Sequence, residues 1–166
     1  MKLKIGANDK KDGFKTLDID PSLVPDILAD VTDIPLEPNT CSYIICENVL
    51  EHVCDLKKAM DELVRITKPG GTIEIVLPHF SAFKLWDNLQ HKRGGSYGMF
   101  DSYPVVRFKR EFWIEGRGIV MPNTPTRWHI PFAVVEYIAN RFPGIYEYWL
   151  CNFIRCDALH FVLIKL

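Results

Sequence analysis

A strand–helix–strand pattern over residues 43–78 constrains the fold more than any other stretch of the chain. Tyr43–Cys46 is a short apolar run of strand-forming residues, and Thr72–Leu77 is a second run, rich in isoleucine and valine, that stops at Pro78. Between them, apolar residues recur at the spacing of one helix face. The positions on that face are Leu56, Ala59, Met60, Leu63, Val64 and Thr67. The pattern predicts a βαβ unit in which the two strands are parallel neighbours.

Both ends of this helix carry boundary signals. Asp55 precedes the first apolar position and is a favourable N-cap residue. The helix is predicted to end at Lys68–Gly71, because proline cannot continue a helix and glycine allows the chain to turn.

The bulk properties limit the classes of protein that the chain can represent. Its 166 residues are the length of one domain, so we expect a single domain over residues 1–166. The formal net charge is −1, which disfavours nucleic acid as a partner. No apolar run is long enough to span a membrane, and the first residues do not resemble a signal peptide.

The five cysteines are odd in number and mostly follow apolar neighbours, so we interpret them as reduced thiols of a cytoplasmic protein. Cys151 and Cys156 are five residues apart, unlike the CxxC spacing of a zinc knuckle, and the sequence predicts no metal site. His52 is interpreted as a partly buried histidine rather than a catalytic one.

Three sequence blocks in and around the βαβ unit resemble a known family. Val49–Val53 reads VLEHV, Glu62–Arg65 reads ELVR and Lys68–Gly71 reads KPGG, in the order and at the distances typical of the class I S-adenosylmethionine-dependent methyltransferases. The resemblance is to the methyltransferase type 11-like group with a short first crossover. It implies an α/β fold, Rossmann-like and doubly wound, with a mostly parallel sheet and an antiparallel C-terminal strand. It also implies S-adenosylmethionine as the cofactor.

Five residues are predicted to contact the cofactor, four of them from the resemblance and one from its position in the sheet. Gly6 corresponds to the first glycine of the cofactor loop, and Asp18 to the acidic end of the second strand, where a carboxylate accepts hydrogen bonds from ribose hydroxyls. Asp30 would accept from the exocyclic amine of adenine, and Val31 would pack on the ring. Glu47 sits just past the C-terminal end of the central strand, at the sheet edge where ligands of parallel sheets bind.

Each of these assignments has a structural alternative that the sequence leaves open. Gly6 could merely end a strand, Asp30 could cap the turn at Thr32–Asp33, and Glu47 could be a polar residue at a helix start. The chain also departs from the family pattern, because it lacks the second loop glycine and because Ala7–Gly13 leaves no room for a first crossover helix.

Two histidines follow the last parallel strand and are the candidates for contact with the methyl acceptor. His79 comes directly after Pro78, and His91 lies in a segment, Asp87–Phe100, that we expect to cover the site. Gly94–Gly95 suggests that this segment is a mobile lid. The alternatives are a buried structural histidine at His79 and a solvated charge cluster at residues 91–93.

The C-terminal part is predicted to contain a helix over Phe132–Phe142 and closing strands at Ile145–Cys151 and Ala158–Leu166. Its aromatic side chains are interpreted as core or as the face of a homodimer, since no basic stripe accompanies them. These are Phe112, Trp113, Trp128, Phe132, Tyr137, Tyr146, Tyr148 and Trp149.

The sequence therefore favours a methyltransferase that uses S-adenosylmethionine and acts on a small-molecule acceptor, which the sequence does not identify. The alternative is a non-catalytic module that kept the methyltransferase fold. A nicotinamide-dependent dehydrogenase is less well supported, because the GxGxxG motif is absent.

Overall fold

The computed structural model describes residues 1–101, 103, 106–113 and 132–166, with the side chains of 106–113 and 132–133 excepted. Among these residues there are seven strands and four α-helices. The strands are β1 (Lys2–Ile5), β2 (Lys15–Asp18), β3 (Ile27–Leu28), β4 (Cys41–Glu47), β5 (Thr67–Pro78), β6 (Val106–Trp113) and β7 (Ala158–Lys165). The helices are α1 (Leu56–Ile66), α2 (Phe83–Trp86), α3 (Phe132–Arg141) and α4 (Pro143–Tyr148). Short 3₁₀ turns lie at Pro21–Leu23 and Leu150–Asn152.

The described strands form one sheet in the order β3-β2-β1-β4-β5-β7-β6. The first five strands of that order are parallel to one another. β7 runs antiparallel to both β5 and β6. The predicted α/β fold, with its mostly parallel sheet and antiparallel C-terminal strand, is confirmed.

The βαβ unit forms as its pattern predicts. β4 and β5 are parallel neighbours, with Tyr43 opposite Thr72 and Cys46 opposite Ile75. The carboxylate of Asp55 caps α1 by accepting a hydrogen bond from the backbone N–H of Lys58 at 2.9 Å. The apolar face of α1 is buried in the core at Ala59, Met60, Leu63, Val64 and Ile66.

The KPGG block does not end the helix as predicted, because α1 ends at Ile66 and Thr67 is already extended. Thr67 already pairs with Cys41, and the ladder resumes at Thr72 opposite Tyr43, so residues 68–71 form a bulge within β5. A side chain at Gly71 would come within 2.8 Å of the Lys68 carbonyl oxygen. Glycine is therefore required there by close packing.

β1 and β2 are parallel neighbours although no helix forms between them. Only residues 6–14 connect the two strands. The absence of a first crossover helix, predicted from the length of this connection, is confirmed.

One prediction for the C-terminal part is wrong. Ile145–Cys151 is not a strand: α4 covers Pro143–Tyr148 and a 3₁₀ turn follows it. Pro143 stands in the first turn of α4, where its fixed φ favours a helix start. Of the two tyrosines of α4, Tyr146 is fully buried and Tyr148 is exposed.

The closing strand at the C-terminus is confirmed as β7. The proline-rich stretch over residues 121–131, which includes Trp128, lies outside the described residues. No helix in the described part of the chain combines the length and the hydropathy needed to cross a membrane.

Candidate functional site

A cavity of about 940 Å³ opens at the edge of the sheet where β1, β2, β3 and β4 end. Parallel strands point their carboxyl ends in the same direction, so the residues that follow them converge at this edge. All five residues that the sequence assigned to the cofactor line this one cavity. They are Gly6, Asp18, Asp30, Val31 and Glu47.

Gly6 begins the short loop after β1 in a conformation that favours glycine. Its φ is +92°, and its N–H donates to the carbonyl oxygen of Leu17 at 2.8 Å. A side chain at this position would also approach Val49 Cγ2 to 3.3 Å. Gly6 thus both ends the strand and lets the loop lie close to the cavity.

The carboxylate of Asp18, at the end of β2, is held by two backbone N–H groups. Oδ2 accepts from Ala7 at 2.8 Å, and Oδ1 accepts from Asp20 at 2.9 Å. A carboxylate oxygen has two lone pairs, so each oxygen can accept a second hydrogen bond from a ligand. The carboxylate is therefore oriented in the absence of any ligand.

Asp30 and Val31 follow β3 at the far side of the cavity. Asp30 Oδ1 accepts from both the N–H and the hydroxyl of Thr32, at 2.8 Å each. Asp30 therefore caps the turn, as its structural alternative proposed. The two bonds from Thr32 use one of the two carboxylate oxygens. Val31 is buried against the core, so only a small part of its side chain is open to a ligand ring in the cavity.

Sequence reasoning missed Lys4, a buried cation in the wall of the cavity. Lys4 lies on β1, and its side chain is only 4% exposed. Its ammonium forms an ion pair with Asp9 and lies 3.8 Å from Glu47 Oε2. The hydrogen bond from Lys4 is the main cause that lowers the pKa of the Asp9 carboxyl.

Lys4, Asp9 and Glu47 all line the cavity. One cation and two anions therefore stand together beside Gly6. The sequence signal for Lys4 was the pair of lysines two residues apart in β1. Lys2 and Lys4 therefore lie on the same face of the strand.

His79 lies outside the cavity lining. The residue is 0% exposed. Its Nδ1 accepts from the N–H of Ser81 at 3.1 Å, and its Nε2 lies 3.3 Å from Glu147 Oε1. Because Nδ1 is an acceptor, Nε2 carries the proton and donates to Glu147. These contacts are those of a buried structural histidine, the alternative stated above.

His91 is half-buried beside the cavity rather than in its lining. Its Nδ1 lies 3.0 Å from the carbonyl oxygen of Leu85, and its Nε2 lies 3.3 Å from the amide nitrogen of Asn88. The ring packs edge-on against His52, with 4.7 Å between the ring centroids. His52 does line the cavity.

The cluster of Glu51, His52 and His91 was also missed, since the sequence predicted no metal site. One ligand atom from each residue lies within 4.8 Å of the others. Burial raises the pKa of the Glu51 carboxyl, and burial lowers the pKa of His52, with His91 adding to the latter effect. Glu51 and His52 are adjacent in sequence, but His91 joins them only through the fold.

The segment after residue 87 is attached to the wall of the cavity. The N–H of Lys92 donates to the Glu51 carbonyl oxygen at 2.8 Å, and Arg93 donates to the Cys54 carbonyl oxygen at 2.7 Å. Further along, the N–H of Gly95 donates to the Pro78 carbonyl oxygen at 2.8 Å.

Close packing accounts for both glycines of the predicted lid. A side chain at Gly94 would come within 2.7 Å of Phe80 Cα, and one at Gly95 would meet Leu77 Cδ1 at 3.0 Å. The interpretation of Gly94–Gly95 as the source of lid mobility is therefore not supported, because the two residues fit where no side chain can.

Comparison with known proteins finds similarity to one family in the N-terminal part of the chain. Residues 7–75 match the family model described as a methyltransferase domain. A demethylmenaquinone methyltransferase from Paenarthrobacter aurescens is 33% identical over 63 residues, which are 38% of this chain and 25% of that protein. The chain thus spans about a quarter of the length of this relative.

Solved structures share the fold over almost the whole chain. A SAM-dependent methyltransferase from Archaeoglobus fulgidus superposes with a TM-score of 0.69 and 13% identity, covering 99% of this chain and 85% of that one. The N-methyltransferase NodS from Bradyrhizobium japonicum, solved with S-adenosyl-L-homocysteine, superposes with a TM-score of 0.58 and 13% identity, covering 99% and 76%. The domain match covers residues 7–75, which is less than half of the chain, and the solved structures show the shared fold. Both findings agree with the resemblance to the class I S-adenosylmethionine-dependent methyltransferases seen in the sequence.

Proposed function

We propose that this chain is an S-adenosylmethionine-dependent methyltransferase that acts on a small-molecule acceptor. The observation that carries the proposal is the cavity at the carboxyl edge of the sheet, which gathers five residues assigned independently from the sequence. The bound cofactor would supply an electrophilic methyl group on a sulfonium. The chain's own task is to hold the cofactor and the acceptor in line and to exclude water.

The order of the strands supports an extended ligand. Asp30 follows β3, Asp18 ends β2, Gly6 follows β1 and Glu47 ends β4, and these strands are successive neighbours. Three steps of about 4.8 Å between strands give a row about 14 Å long. A nucleoside joined to an amino acid has the elongated form that such a row can hold.

The polar groups along this row suit the successive parts of that ligand. Asp30 and Val31 would contact the adenine, and Asp18 would accept from the ribose hydroxyls. Lys4 would face the carboxylate of the amino acid and Glu47 its ammonium group, because buried charges need partners of opposite sign. His91 is proposed to contact the acceptor or to order the segment that carries it.

A second candidate function is favoured by the missing first helix. No helix follows Gly6, so the backbone N–H groups of a helix N-terminus are absent from this side of the cavity. The chain could then be a binding or scaffold module that kept the fold without catalysis.

Calorimetric titration with cofactor analogues distinguishes these two functions by measuring whether the chain binds the cofactor. S-adenosylhomocysteine should bind one-to-one, and adenosine should compete with it for the same site. A folded protein that binds neither would favour the non-catalytic module. A protein that binds both but transfers no methyl group to a library of small acceptors would be a binding module.

We also propose that the aromatic C-terminal part contacts a second copy of the chain. Tyr148, Trp149 and Phe153 are exposed at 90%, 63% and 66%. Exposed aromatic side chains are enriched at the centres of protein interfaces. Light scattering should give the molar mass of a dimer for the wild-type chain and a smaller dimer fraction for Trp149→Ser. A wild-type chain that stays monomeric at high concentration would contradict the proposal.

A further inference from the structure

The carboxylate of Glu51 is buried without enough partners. Glu51 lies in the turn between β4 and α1, and the residue is 1% exposed. Its Oε2 has no hydrogen-bond partner among the described residues. A carboxylate removed from water is unfavourable unless it is protonated, paired with a cation or bound to a metal. Something must therefore compensate the burial of Glu51.

Two imidazoles stand beside this carboxylate. A carboxylate oxygen of Glu51, a ring nitrogen of His52 and a ring nitrogen of His91 all lie within 4.8 Å of one another. The two rings meet edge-on at 4.7 Å between centroids. Neither ring offers a full charge to Glu51 unless it is protonated, and two protonated rings so close together would repel each other.

The tautomer of His91 is fixed by its surroundings. Its Nδ1 lies 3.0 Å from the carbonyl oxygen of Leu85, and a carbonyl oxygen can only accept. Nδ1 therefore carries the proton, and the lone pair is on Nε2. A histidine that donates one ring N–H to a backbone carbonyl is in the state that metal-ligating histidines adopt, because that bond orients the ring.

We propose that Glu51, His52 and His91 bind one divalent transition-metal ion, for which zinc is the best match. Two neutral imidazoles and one carboxylate are a donor set that binds zinc while leaving a fourth position open. Tetrahedral zinc with bonds of about 2.1 Å holds its ligand atoms about 3.4 Å apart. Side-chain movements that bring the ligand atoms closer by about 1.4 Å would reduce their present spacing of up to 4.8 Å to that value.

The ion would join two parts of the chain that are far apart in sequence. Glu51 and His52 precede α1, whereas His91 belongs to the segment that runs along the wall of the cavity. The N–H of Lys92 already donates to the carbonyl oxygen of Glu51 at 2.8 Å. Because His52 also lines the cavity, the ion would stand at the cavity wall. This proposal does not depend on methyl transfer, since a binding module could hold the same ion.

The test is a metal titration of the chelator-treated chain. Zinc should bind at one ion per chain in competition with a chromophoric chelator. Cobalt(II) should give the visible absorption of a tetrahedral site with nitrogen and oxygen ligands, without a thiolate-to-cobalt band in the near ultraviolet. Glu51→Gln and His91→Gln should each weaken zinc binding by about tenfold or more.

Two variants serve as matched controls. His160→Gln removes another imidazole that contacts a glutamate, Glu74, at 2.9 Å, outside the cluster. Cys54→Ser removes the exposed thiol that contacts Lys92. Both should bind zinc within about threefold of the wild type.

Three results would overturn the proposal. The first is a wild-type chain that binds well under one zinc ion. The second is a thiolate band with cobalt or a loss of binding in Cys54→Ser, which would place the ion on cysteine. The third is unchanged zinc binding in folded Glu51→Gln, which would leave Glu51 as a protonated, neutral acid. The cobalt spectrum of the wild type decides the donor set even if a cluster variant does not fold.

Discussion

Asp18 at the end of β2 and Ala7 in the loop after β1 are joined by a hydrogen bond of 2.8 Å, from the N–H of Ala7 to Oδ2 of the aspartate. This bond holds the short loop against the second strand at the mouth of the cavity. In the proposed cofactor complex, the same carboxylate would accept from the ribose hydroxyls. Asp18 would then orient both the loop and the ligand.

Replacing Asp18 by alanine should weaken the binding of S-adenosylhomocysteine by roughly 10- to 150-fold, because hydrogen bonds to a charged group contribute about 1.5–3 kcal/mol. Isothermal titration measures the change. Asp26→Ala is the control, since Asp26 also accepts from a backbone N–H, that of Thr16 at 2.8 Å, but does not line the cavity. Unchanged affinity in Asp18→Ala would remove Asp18 from the ribose site.

The buried cation on β1 gives a prediction about which end of the ligand it contacts. Lys4→Met removes the ammonium and keeps a similar length of side chain. The substitution should lower the affinity for S-adenosylhomocysteine by about tenfold or more. The affinity for adenosine should change by less than about threefold, because adenosine lacks the amino acid end. Competition titrations with both ligands check this.

Lys2→Met is the matched control for Lys4, since Lys2 lies on the same strand, is exposed and does not line the cavity. It should leave both affinities unchanged. An equal loss for the two ligands in Lys4→Met would mean that Lys4 supports the cavity as a whole rather than the amino acid end.

The two histidines after β5 should respond differently to alanine. His79→Ala removes a fully buried ring with partners at both nitrogens, so it should lower the free energy of unfolding by about 1–3 kcal/mol. Thermal and denaturant unfolding measure that loss. A stability equal to that of the wild type would contradict the structural role of His79.

His91→Ala should slow methyl transfer while leaving the affinity for S-adenosylhomocysteine within about threefold, because His91 does not line the cavity. Single-turnover transfer to an identified acceptor, with chelator present, is the measurement beside the titration. If transfer and affinity fall together and the melting temperature drops as well, His91 is structural and the acceptor role is wrong.

Gly94 offers a prediction about packing. Gly94→Ala would place a methyl group 2.6 Å from Leu85 Cδ2 and 2.7 Å from Phe80 Cα, so it should destabilise the chain by about 1–3 kcal/mol. Gly144→Ala is the control, because a side chain there meets nothing within 4 Å and alanine favours the helix α4. A Gly94→Ala variant as stable as the wild type would restore the interpretation of this glycine as a hinge.

Much of the fold could be predicted from the sequence because its signals are local. The βαβ unit is encoded by apolar periodicity, by the cap at Asp55 and by the KPGG block, all within one stretch of chain. The five residues assigned to the cofactor were predicted to lie near one another because each stands at or shortly after the end of a strand. The ends of parallel strands converge whatever the details of packing.

The rest depended on contacts between distant segments. The burial of Lys4 requires both a loop residue, Asp9, and the end of another strand, Glu47. The pairing of Glu51 and His52 with His91 requires the path of the segment after α2. The run of aromatic and large apolar side chains in residues 145–150 has the composition of a strand, yet Pro143 starts a helix just before it.

A crystal structure of the chain with S-adenosylhomocysteine would show whether the cavity at the carboxyl edge of the sheet binds the cofactor. We expect the ligand in the cavity, with the adenine at Asp30 and Val31, the ribose hydroxyls within hydrogen-bond distance of Asp18, and the amino acid end beside Lys4 and Glu47. A ligand bound elsewhere, or one with its amino acid end at Asp30, would contradict this expectation.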